Sequence, residues 1–404
     1  MPLLVAFLLA FGSAALAQRY TVAAPQGDRR PVEFREEKLH GRNAYSLVNG
    51  VFRIAVLRGG GHIAEVRLVS RDPLVNINPM RVPHYPTIEP YEYDTSKHDA
   101  VYGSDPHRWL SSGYMGHLLC FPIYGPPSPE EAKAGLGNHG EAPIVEWRVI
   151  AVDQDSHGGV RLRYGADLPK TQFRVERAVT LGPGDRFARI EEWVENLTPY
   201  DRPINWMQHA TFGPPFVEPG KTLLDVSATR GLTAGGRPQT ASLRPDSEMK
   251  WPNGTSWDGA SVDLRGFQTR PNAGTYAALL LDPNRSTQYF AMYHAGHRIA
   301  IGYVFPSSGG PWIADWQENK SNRNLPWNGQ VVARGIEWGT SPFAEGLRRS
   351  VERGKLFDTP AFRWIGGRER LKTEFTVFVV EIPEGFRGVR DVVLENGAPV
   401  AIEK

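Results

Sequence analysis

The sequence has a single cysteine and almost no excess charge. Because Cys120 is the only cysteine among 404 residues, no disulfide can form within the chain, and stability must come from core packing. Its apolar surroundings are more typical of a buried residue than of a nucleophile. The 46 basic and 44 acidic residues leave a net charge of +2, which provides no electrostatic basis for binding nucleic acid or an anionic membrane. A neutral small molecule is therefore the expected partner.

The sequence also lacks a hydrophobic run long enough for a comfortable membrane span. The apolar stretch at residues 3–16 is too short for one, and residues 15–17 (ALA) form the small-x-small pattern of a cleavage site. No Lys or Arg precedes the stretch, so an uncleaved anchor or a misassigned start is the alternative. We expect residues 1–17 to be a signal peptide, the protein to be periplasmic or secreted, and no membrane contact beyond this export signal.

Long helical patterns, internal repeats and low-complexity linkers are not found, whereas strand patterns are frequent. Apolar and polar residues alternate at residues 160–164, 173–176 and 190–194, as expected for strands with one buried face. Residues 375–380 are apolar on both faces, which is typical of a strand covered on each side. The 42 glycines and 33 prolines are spread along the chain, which indicates many turns. These patterns predict an all-β protein, a single large antiparallel β-sandwich with few short helices.

The predicted boundaries follow from these patterns. The polar residues 18–45 are expected to form a lead-in with at most one edge strand, and residues 46–404 the sandwich domain. One short helix is predicted at Ser128, which is followed by Pro129 and by Glu131, the arrangement of a capping box. A second is predicted to open at residues 341–342 and to stop before Gly354.

A long irregular stretch at residues 79–115 is unusually rich in aromatic residues. Loops of this length inside compact domains are usually functional, and aromatic density suits a wall that faces a sugar. A surface loop packed on itself is the equal alternative. Its aromatic residues are Tyr85, Tyr91, Tyr93, Tyr102, Trp109 and Tyr114.

Two histidines and one glutamate, each flanked by apolar or glycine residues, suggest acid/base chemistry on a neutral polyol. His139 lies in Asn-His-Gly, His209 in QHATF and Glu337 in GIEWGT. Imidazole and carboxylate groups together can accept and donate protons near neutral pH. No metal is expected, because the pair His294 and His297 follows a strand pattern rather than the helix or tight turn that this spacing would need.

The same segments resemble the aldose 1-epimerase (galactose mutarotase-like) superfamily. Residues 116–126 (GHLLCFPIYGP), then residues 138–140 (NHG) and Trp147, are similar to the block found in its hexose-6-phosphate mutarotase-like members. Residues 51–63 resemble the family's first hairpin, and residues 195–212 resemble a strand pair that ends in a histidine and an aromatic residue. The resemblance covers roughly residues 45–385 and implies the family's large β-sandwich.

The resemblance also implies roles for the three residues. Glu337 would be the general base on the anomeric hydroxyl, and His209 the general acid on the ring oxygen. His139 would hydrogen-bond the ring or anomeric oxygen. The implied reaction interconverts the α and β anomers of a free sugar, with a carbohydrate as the small-molecule substrate and with no metal or redox cofactor.

The sugar contacts depart from the family pattern. Glu141 and Ala142 follow the His-Gly pair, where the family has an arginine or asparagine. Arg174 or Arg177 could substitute, and charges on a strand surface are the equal alternative for both. The expected substrate-binding residues are Trp338, Phe212, Arg174, Trp316, Glu318 and Tyr124.

Two other functions stay open. A lyase or epimerase acting on an oligosaccharide would use His209 or His139 as a base on a ring C–H. A non-catalytic carbohydrate-binding module would keep the pocket without the chemistry, because function belongs to the site rather than to the fold. Either catalytic function requires His139, His209 and Glu337 to converge within the width of one sugar.

Overall fold

The computed structural model describes residues 18–22, 29–235 and 239–404. The predicted signal peptide at residues 1–17 lies outside the described residues, so export stays a prediction. No helix in the described part of the chain is long and apolar enough to cross a membrane.

Helices in the described residues are short. They are α1 (Thr95–Tyr102), α2 (Arg108–Ser111), α3 (Pro129–Lys133) and α4 (Leu347–Arg353), with 3₁₀ turns at Pro90–Glu92, Ala142–Ile144, Ala295–His297 and Ser307–Gly309.

Strands make up most of the regular structure. Those up to residue 212 are β1 (Arg19–Thr21), β2 (Glu33–Leu39), β3 (Arg42–Val48), β4 (Phe52–Leu57), β5 (Ile63–Leu68), β6 (His117–Cys120), β7 (Arg148–Gln154), β8 (Val160–Leu168), β9 (Phe173–Leu181), β10 (Phe187–Asn196), β11 (Arg202–Ile204) and β12 (Met207–Phe212). Those that follow are β13 (Thr222–Val226), β14 (Ala228–Thr233), β15 (Glu248–Lys250), β16 (Asn253–Thr255), β17 (Ser261–Asp263), β18 (Ala273–Leu281), β19 (Thr287–His294), β20 (Ile299–Pro306), β21 (Trp312–Asn319), β22 (Val332–Gly339), β23 (Lys355–Leu356), β24 (Thr359–Pro360), β25 (Arg363–Ile365), β26 (Arg370–Glu381), β27 (Val389–Glu395) and β28 (Ala398–Glu403).

Two large antiparallel sheets dominate the described residues. The first has 13 strands in the order β17-β16-β15-β14-β18-β21-β22-β12-β6-β5-β4-β3-β2, and the second has eight in the order β13-β19-β20-β26-β10-β9-β8-β7. Smaller sheets are β1-β28-β27, β11-β25 and β23-β24. The main apolar core contains Ile336 and Trp338 of the first sheet together with Phe305 and Phe375 of the second. The predicted all-β sandwich is confirmed.

The alternating segments behave as their patterns predict. Residues 160–164, 173–176 and 190–194 lie in β8, β9 and β10. Residues 375–380 of β26 are all buried. Phe375, Val377 and Val379 join one apolar cluster, and Phe378 and Val380 join another on the opposite face. A strand covered on both sides has no polar face, which explains its continuous apolar run.

Two predictions about local structure need correction. Residues 18–45 were expected to hold at most one edge strand, but they contain β1, β2 and the start of β3, and β2 pairs with β3 along its whole length. The helix predicted from residue 341 begins only at Leu347, because Gly346 has a φ of 89°, outside the helical region. Its end before Gly354 and the capping box at Ser128 are confirmed.

Candidate active site

Strand alternation places His209 and Glu337 on the same face of the 13-stranded sheet. The two residues are direct cross-strand neighbours on β12 and β22, and His209 Nε2 lies 3.2 Å from Glu337 Oε1. Their sequence neighbours Ala210, Ile336 and Trp338 point to the opposite face and join the core between the sheets. The face that carries His209 and Glu337 is therefore the outer one.

Gly335 makes the close approach of the pair possible. It precedes Glu337 by two positions on the same face of β22 and lies opposite Trp316 of β21. A Cβ at residue 335 would lie 2.9 Å from His209 Cε1 and 3.1 Å from Glu337 Oε1. It would also lie 2.8 Å from the indole ring of Trp316, at Cε3. Only glycine, which has no side chain, allows these three side chains to occupy their positions.

His139 reaches the pair from a loop. Its φ of 64° turns the chain sharply, and its backbone N–H donates to Gly125 O at 2.9 Å. In return the Gly125 N–H donates to His139 Nδ1 at 3.2 Å. Since Nδ1 accepts, the neutral ring carries its proton on Nε2. The rings of His139 and His209 are 5.3 Å apart, edge to face, so all three predicted catalytic residues converge.

A pair of tyrosine hydroxyls holds the far side of the glutamate. The Tyr124 hydroxyl donates to Glu337 Oε2, and it lies 2.8 Å from the Tyr276 hydroxyl. Tyr276 in turn donates to Pro342 O at 3.1 Å. Tyr124 is fully buried, so its expected contact with substrate is replaced by a contact with Glu337.

A second set of hydroxyls orients His209. Its Nδ1 lies 3.0 Å from Thr211 Oγ1, which lies 2.5 Å from the Tyr114 hydroxyl. The Arg81 guanidinium stacks over the Tyr114 ring at 4.5 Å and donates to Tyr114 O at 2.6 Å. His209 thus has a polar neighbour at each ring nitrogen, Thr211 Oγ1 at Nδ1 and Glu337 Oε1 at Nε2, and these contacts limit rotation of the imidazole.

Burial controls the protonation of the site. Desolvation raises the pKa of Glu337 to about 8, although the Tyr124 hydrogen bond opposes the shift. Desolvation lowers the pKa of His209 well below its usual value and that of His139 to about 3. At neutral pH the His209–Glu337 pair is therefore neutral overall and holds one exchangeable proton on the carboxyl side.

The three residues line a cavity of about 330 Å³. Pockets of this size accommodate small ligands. Its aromatic members are Tyr114, Tyr276, Trp316 and Trp327, and its other lining residues are Asp105, His107, Leu110, Ser111, Asn138, His139, His209, Glu318, Asn322, Asn324, Leu325, Glu337 and Ala344. None of these described lining residues is Lys or Arg, so the cavity offers no cation to an anionic ligand.

Trp316 and Glu318 line the cavity, as expected for substrate contacts. Both lie on the outer face of β21, two positions apart. Burial raises the pKa of Glu318, whose carboxylate accepts from the backbone N–H groups of Ser321 and Asn322. The carboxyl group is thus held in place beside the cavity.

Trp338 and Phe212 do not contact the cavity, which contradicts their predicted role. Both point between the sheets, where the Trp338 ring stacks on Phe305 at 5.1 Å and Phe212 packs against Phe290. The physical reason is the strand period of two, which sends every neighbour of a site residue to the opposite face.

Arg174 does not line the catalytic cavity either, although the sequence predicts it as a substrate contact. It is an exposed residue on β9 that pairs with Asp167 at 2.7 Å, away from the catalytic cavity. Its alternative, Arg177, is fully buried between the sheets in an ion pair with Glu192 at 2.5 Å. Neither arginine replaces the family's arginine or asparagine at the site.

Sequence reasoning missed part of the cavity wall. Tyr276 lies in β18, whose sequence AGTYAALLL carries no motif, and Trp327 lies in a loop without one, so neither carries a recognisable signal. The aromatic stretch at residues 79–115 was expected either to line a sugar site or to pack on itself, and it does both. Tyr114 lines the cavity, while Tyr93 and Tyr102 pack against each other.

The described residues contain no group of three or more His, Cys, Asp or Glu side chains that could hold a metal ion. His294 is the N-cap of the 3₁₀ turn Ala295–His297, so the pair spans a tight turn and not a continuing strand as the sequence pattern indicates. His294 Nδ1 accepts a hydrogen bond from the backbone N–H of His297 at 3.2 Å. Cys120 is buried, and desolvation raises the pKa of its thiol well above the usual value.

Comparisons with known proteins identify the fold. No known family's sequence profile matches the chain, and no curated protein matches it in sequence. A galactose mutarotase-like protein from Clostridium acetobutylicum matches with a TM-score of 0.56 at 15% identity, over 87% of this chain and 99% of that one. A candidate aldose 1-epimerase from Klebsiella pneumoniae matches with a TM-score of 0.59 at 12% identity, over 91% and 92%. A candidate aldose 1-epimerase from Escherichia coli K12 matches with a TM-score of 0.54 at 12% identity, over 84% and 99%.

The chain therefore has the galactose mutarotase-like fold, the sandwich that the sequence resemblance implied. At these identities the likeness concerns the fold.

Proposed function

We propose that the protein is a sugar-active enzyme of the aldose 1-epimerase type, which interconverts the α and β anomers of a free sugar. The observation that supports this most directly is the buried His209–Glu337 contact of 3.2 Å at the wall of a cavity of about 330 Å³. Opening a hemiacetal requires a general acid and a general base that reach the two oxygens bound to C1, and these two side chains lie side by side at the cavity wall.

The number of protons on the pair is compatible with this reaction, and because burial shifts the pKa of both groups toward their neutral forms, the form with two charges is the minor one in the free enzyme. With Glu337 as base and His209 as acid, the working form is a carboxylate beside an imidazolium. This form contains the same number of protons as the neutral pair and is reached when the Glu337 proton moves to His209 Nε2. Both acid and base are then supplied without exchange with solvent.

The reaction proceeds by ring opening and closure. The Glu337 carboxylate takes the proton of the C1 hydroxyl while His209 donates a proton to the ring oxygen, so the bond between C1 and the ring oxygen breaks and an aldehyde forms. Rotation about the bond between C1 and C2 presents the other face of the aldehyde. Reversal of both proton transfers closes the ring to the other anomer.

Two neighbouring groups support these steps. His139 Nε2–H is available to donate to the ring or anomeric oxygen, because Nδ1 is already occupied by the Gly125 N–H. Tyr124 donates to the glutamate oxygen that does not face His209, which favours the carboxylate when the base is regenerated.

The lining of the cavity favours a neutral sugar over a sugar phosphate. Its described residues include the acids Asp105, Glu318 and Glu337 and no Lys or Arg. A phosphate group would be desolvated next to carboxylates without a compensating cation, which is unfavourable. This distinguishes the site from one that binds a hexose 6-phosphate, the substrate of the mutarotases that residues 116–126 and 138–140 resemble.

Polarimetry of freshly dissolved α-glucose and α-galactose tests the proposal. We expect equilibration faster than in buffer alone, and a loss of about 10²- to 10⁴-fold of that acceleration in Glu337→Gln, the range of a general acid/base. Arg174→Gln, an exposed change away from the cavity, is the control and should retain the activity. Sugars that bind equally to the wild type and Glu337→Gln, with no acceleration by either, would identify a binding module instead.

A further inference from the structure

Two polar side chains at the wall of the catalytic cavity are buried but unpaired within the described residues. Ser111 and Asn138 line the cavity, and they are only 6% and 9% exposed. Neither side chain makes a hydrogen bond with any other group in the described part of the chain. Polar groups buried in this way are costly unless they are paired, and nearly all of them are hydrogen-bonded in native proteins. Their hydrogen-bond partners must therefore come from the cavity.

The backbone fixes Ser111 and Asn138 on the same part of the wall. Ser111 is the last residue of α2, where its N–H donates to His107 O at 2.8 Å and its carbonyl accepts from the Tyr85 hydroxyl at 3.1 Å. The Asn138 N–H donates to Pro106 O at 3.2 Å, just before α2 begins. Both residues are thus held at the segment that forms α2.

This segment lies on the His209 side of the catalytic pair. In the 13-stranded sheet His209 has Glu337 of β22 as its neighbour on one side and Leu118 of β6 on the other. Leu118 packs in the same apolar cluster as Leu110, the residue before Ser111. Seen from Glu337, Ser111 therefore lies beyond His209.

The proposed reaction orients a sugar relative to these groups. His209 acts on the ring oxygen and Glu337 on the hydroxyl group at C1. C5, the other carbon bound to the ring oxygen, then lies on the side of His209 that faces away from Glu337. In an aldohexose C5 carries a hydroxymethyl group, whereas in an aldopentose this group is missing. The hydroxymethyl group of an aldohexose is thus directed toward the α2 segment.

We propose that Asn138 and Ser111 are specificity-determining residues that hydrogen-bond the C6 hydroxyl group, so that the substrate is an aldohexose with a free 6-hydroxyl. A hydroxyl group both donates and accepts, as do the amide of Asn138 and the hydroxyl of Ser111, so one such group can pair with both. A sugar without it leaves both side chains unpaired in the closed site, which is unfavourable. The orientation of the sugar rests on the proposed function, whereas the burial of the two side chains is independent of it.

Calorimetric titration with matched sugars tests the assignment. The probes are glucose and galactose, each with its 6-deoxy and its 2-deoxy analogue. We expect the full-length protein to bind at least one of the two hexoses about tenfold more tightly than its 6-deoxy analogue, as expected for hydrogen bonds to one hydroxyl group.

Variants connect this ratio of affinities to the two residues. Asn138→Ala and Ser111→Ala should each lower it to about threefold, and the double variant to about one, because variant and analogue remove the same hydrogen bonds. The ratio of affinities between the hexose and its 2-deoxy analogue should stay unchanged in every variant. If one of the single variants does not fold, the other decides the outcome.

Asn253→Ala is the matched control. Asn253 is exposed on β16 and does not line the catalytic cavity, so this variant should keep both ratios. A merely structural role of Asn138 or Ser111 would weaken the binding of the hexose and of both analogues alike, and the ratios would not move.

The outcomes separate this inference from the proposed function. If neither hexose binds more tightly than its 6-deoxy analogue, or if the variants keep this ratio or lose the 2-deoxy ratio instead, the assignment is rejected even when mutarotation is observed. If mutarotation is not accelerated but the 6-deoxy ratio depends on Asn138 and Ser111, the two residues stand as a hexose-binding site and the catalytic proposal falls.

Discussion

At the residue scale, the reactivity of the site depends on the hydrogen bond that the Tyr124 hydroxyl donates to the buried carboxyl group of Glu337. Burial favours the protonated form of Glu337, and the hydrogen bond from Tyr124 favours the ionised form. The balance places the pKa of Glu337 at about 8. Activity that needs one proton on the His209–Glu337 pair should therefore decline above this pH.

Tyr124→Phe provides a test with a defined sign. Loss of the hydrogen bond removes the influence that lowers the pKa of Glu337, so this pKa should rise and the alkaline limb of the mutarotation rate should move to higher pH. The measurement is kcat/KM against pH for wild type and variant. Tyr303→Phe is the control, because the buried Tyr303 hydroxyl has no hydrogen-bond partner among the described residues. A shift to lower pH in Tyr124→Phe would contradict the assignment.

The raised pKa of Glu337 in the wild type also affects the stability of the protein. The pKa of Glu337 is raised in the folded state from an ordinary value of 4.5 to about 8. Folding thus favours the protonated form, and this contribution to stability is complete below about pH 4.5 and is lost as the pH rises through 8. Glu337→Gln, which cannot ionise, should remove this part of the pH dependence. Urea unfolding of both proteins at several pH values measures it.

Gly335→Ala tests the close packing of the site. The added methyl group would lie within 3.1 Å of both His209 and Glu337, so at least one of them must move. Because misplacement of a catalytic group by about 1 Å can cost 10²-fold, we expect kcat to fall about 10- to 100-fold with a folded protein. Gly385→Ala, with no neighbour within 4 Å of the new Cβ, should be silent. Unchanged kcat in Gly335→Ala would mean that the pair is not held as described.

At the scale of elements, the sequence predicts the strands from their alternation more reliably than it predicts where helices and strands begin and end. The periods of β8, β9 and β10 appear directly in the sequence, and the capping box of α3 was identified from Ser128, Pro129 and Glu131. The sequence predicts the start of α4 too early, because the positive φ of Gly346 depends on its tertiary surroundings. Polar residues likewise concealed β2, an edge strand with a largely exposed surface.

Ser128→Ala tests the capping box. Ser128 Oγ accepts from the Glu131 N–H, and Glu131 in turn accepts from the Ser128 N–H at 2.7 Å. Loss of an N-cap side chain should reduce the free energy of unfolding by about 1 kcal/mol, measured by urea denaturation. Ser261→Ala, an exposed change on β17, should have an effect within about 0.5 kcal/mol. Equal effects of the two changes would exclude a specific role for the cap.

At the scale of the whole molecule, a buried ion pair lies between the sheets behind the active site. Arg177 and Glu192 are both fully buried, and Glu192 also accepts from Gln208, the neighbour of His209. The interior of the sandwich therefore contains a polar network next to the strand that holds a catalytic histidine. Removal of one member leaves the other charge without its partner.

Arg177→Leu should consequently destabilise the protein by about 3–5 kcal/mol in urea denaturation. Arg174→Leu, three positions earlier on β9, is the matched control, because its partner Asp167 is largely exposed. Exposed pairs contribute about 0–1 kcal/mol, so the control should lose no more than that. Similar losses of stability in both variants would show that the buried ion pair contributes no more to stability than an exposed one.

The amino-acid sequence by itself determined the strand-rich class, the sandwich and the three residues that converge, because alternation and short motifs are local properties of the chain. Only the tertiary structure decided which face each side chain occupies and what surrounds it. A shift of one position along a strand moves a side chain from cavity to core, which is why Glu337 lies in the site and Trp338 lies between the sheets. Tyr276 and Trp327 reach the same cavity from distant parts of the chain, and no local pattern records such long-range packing.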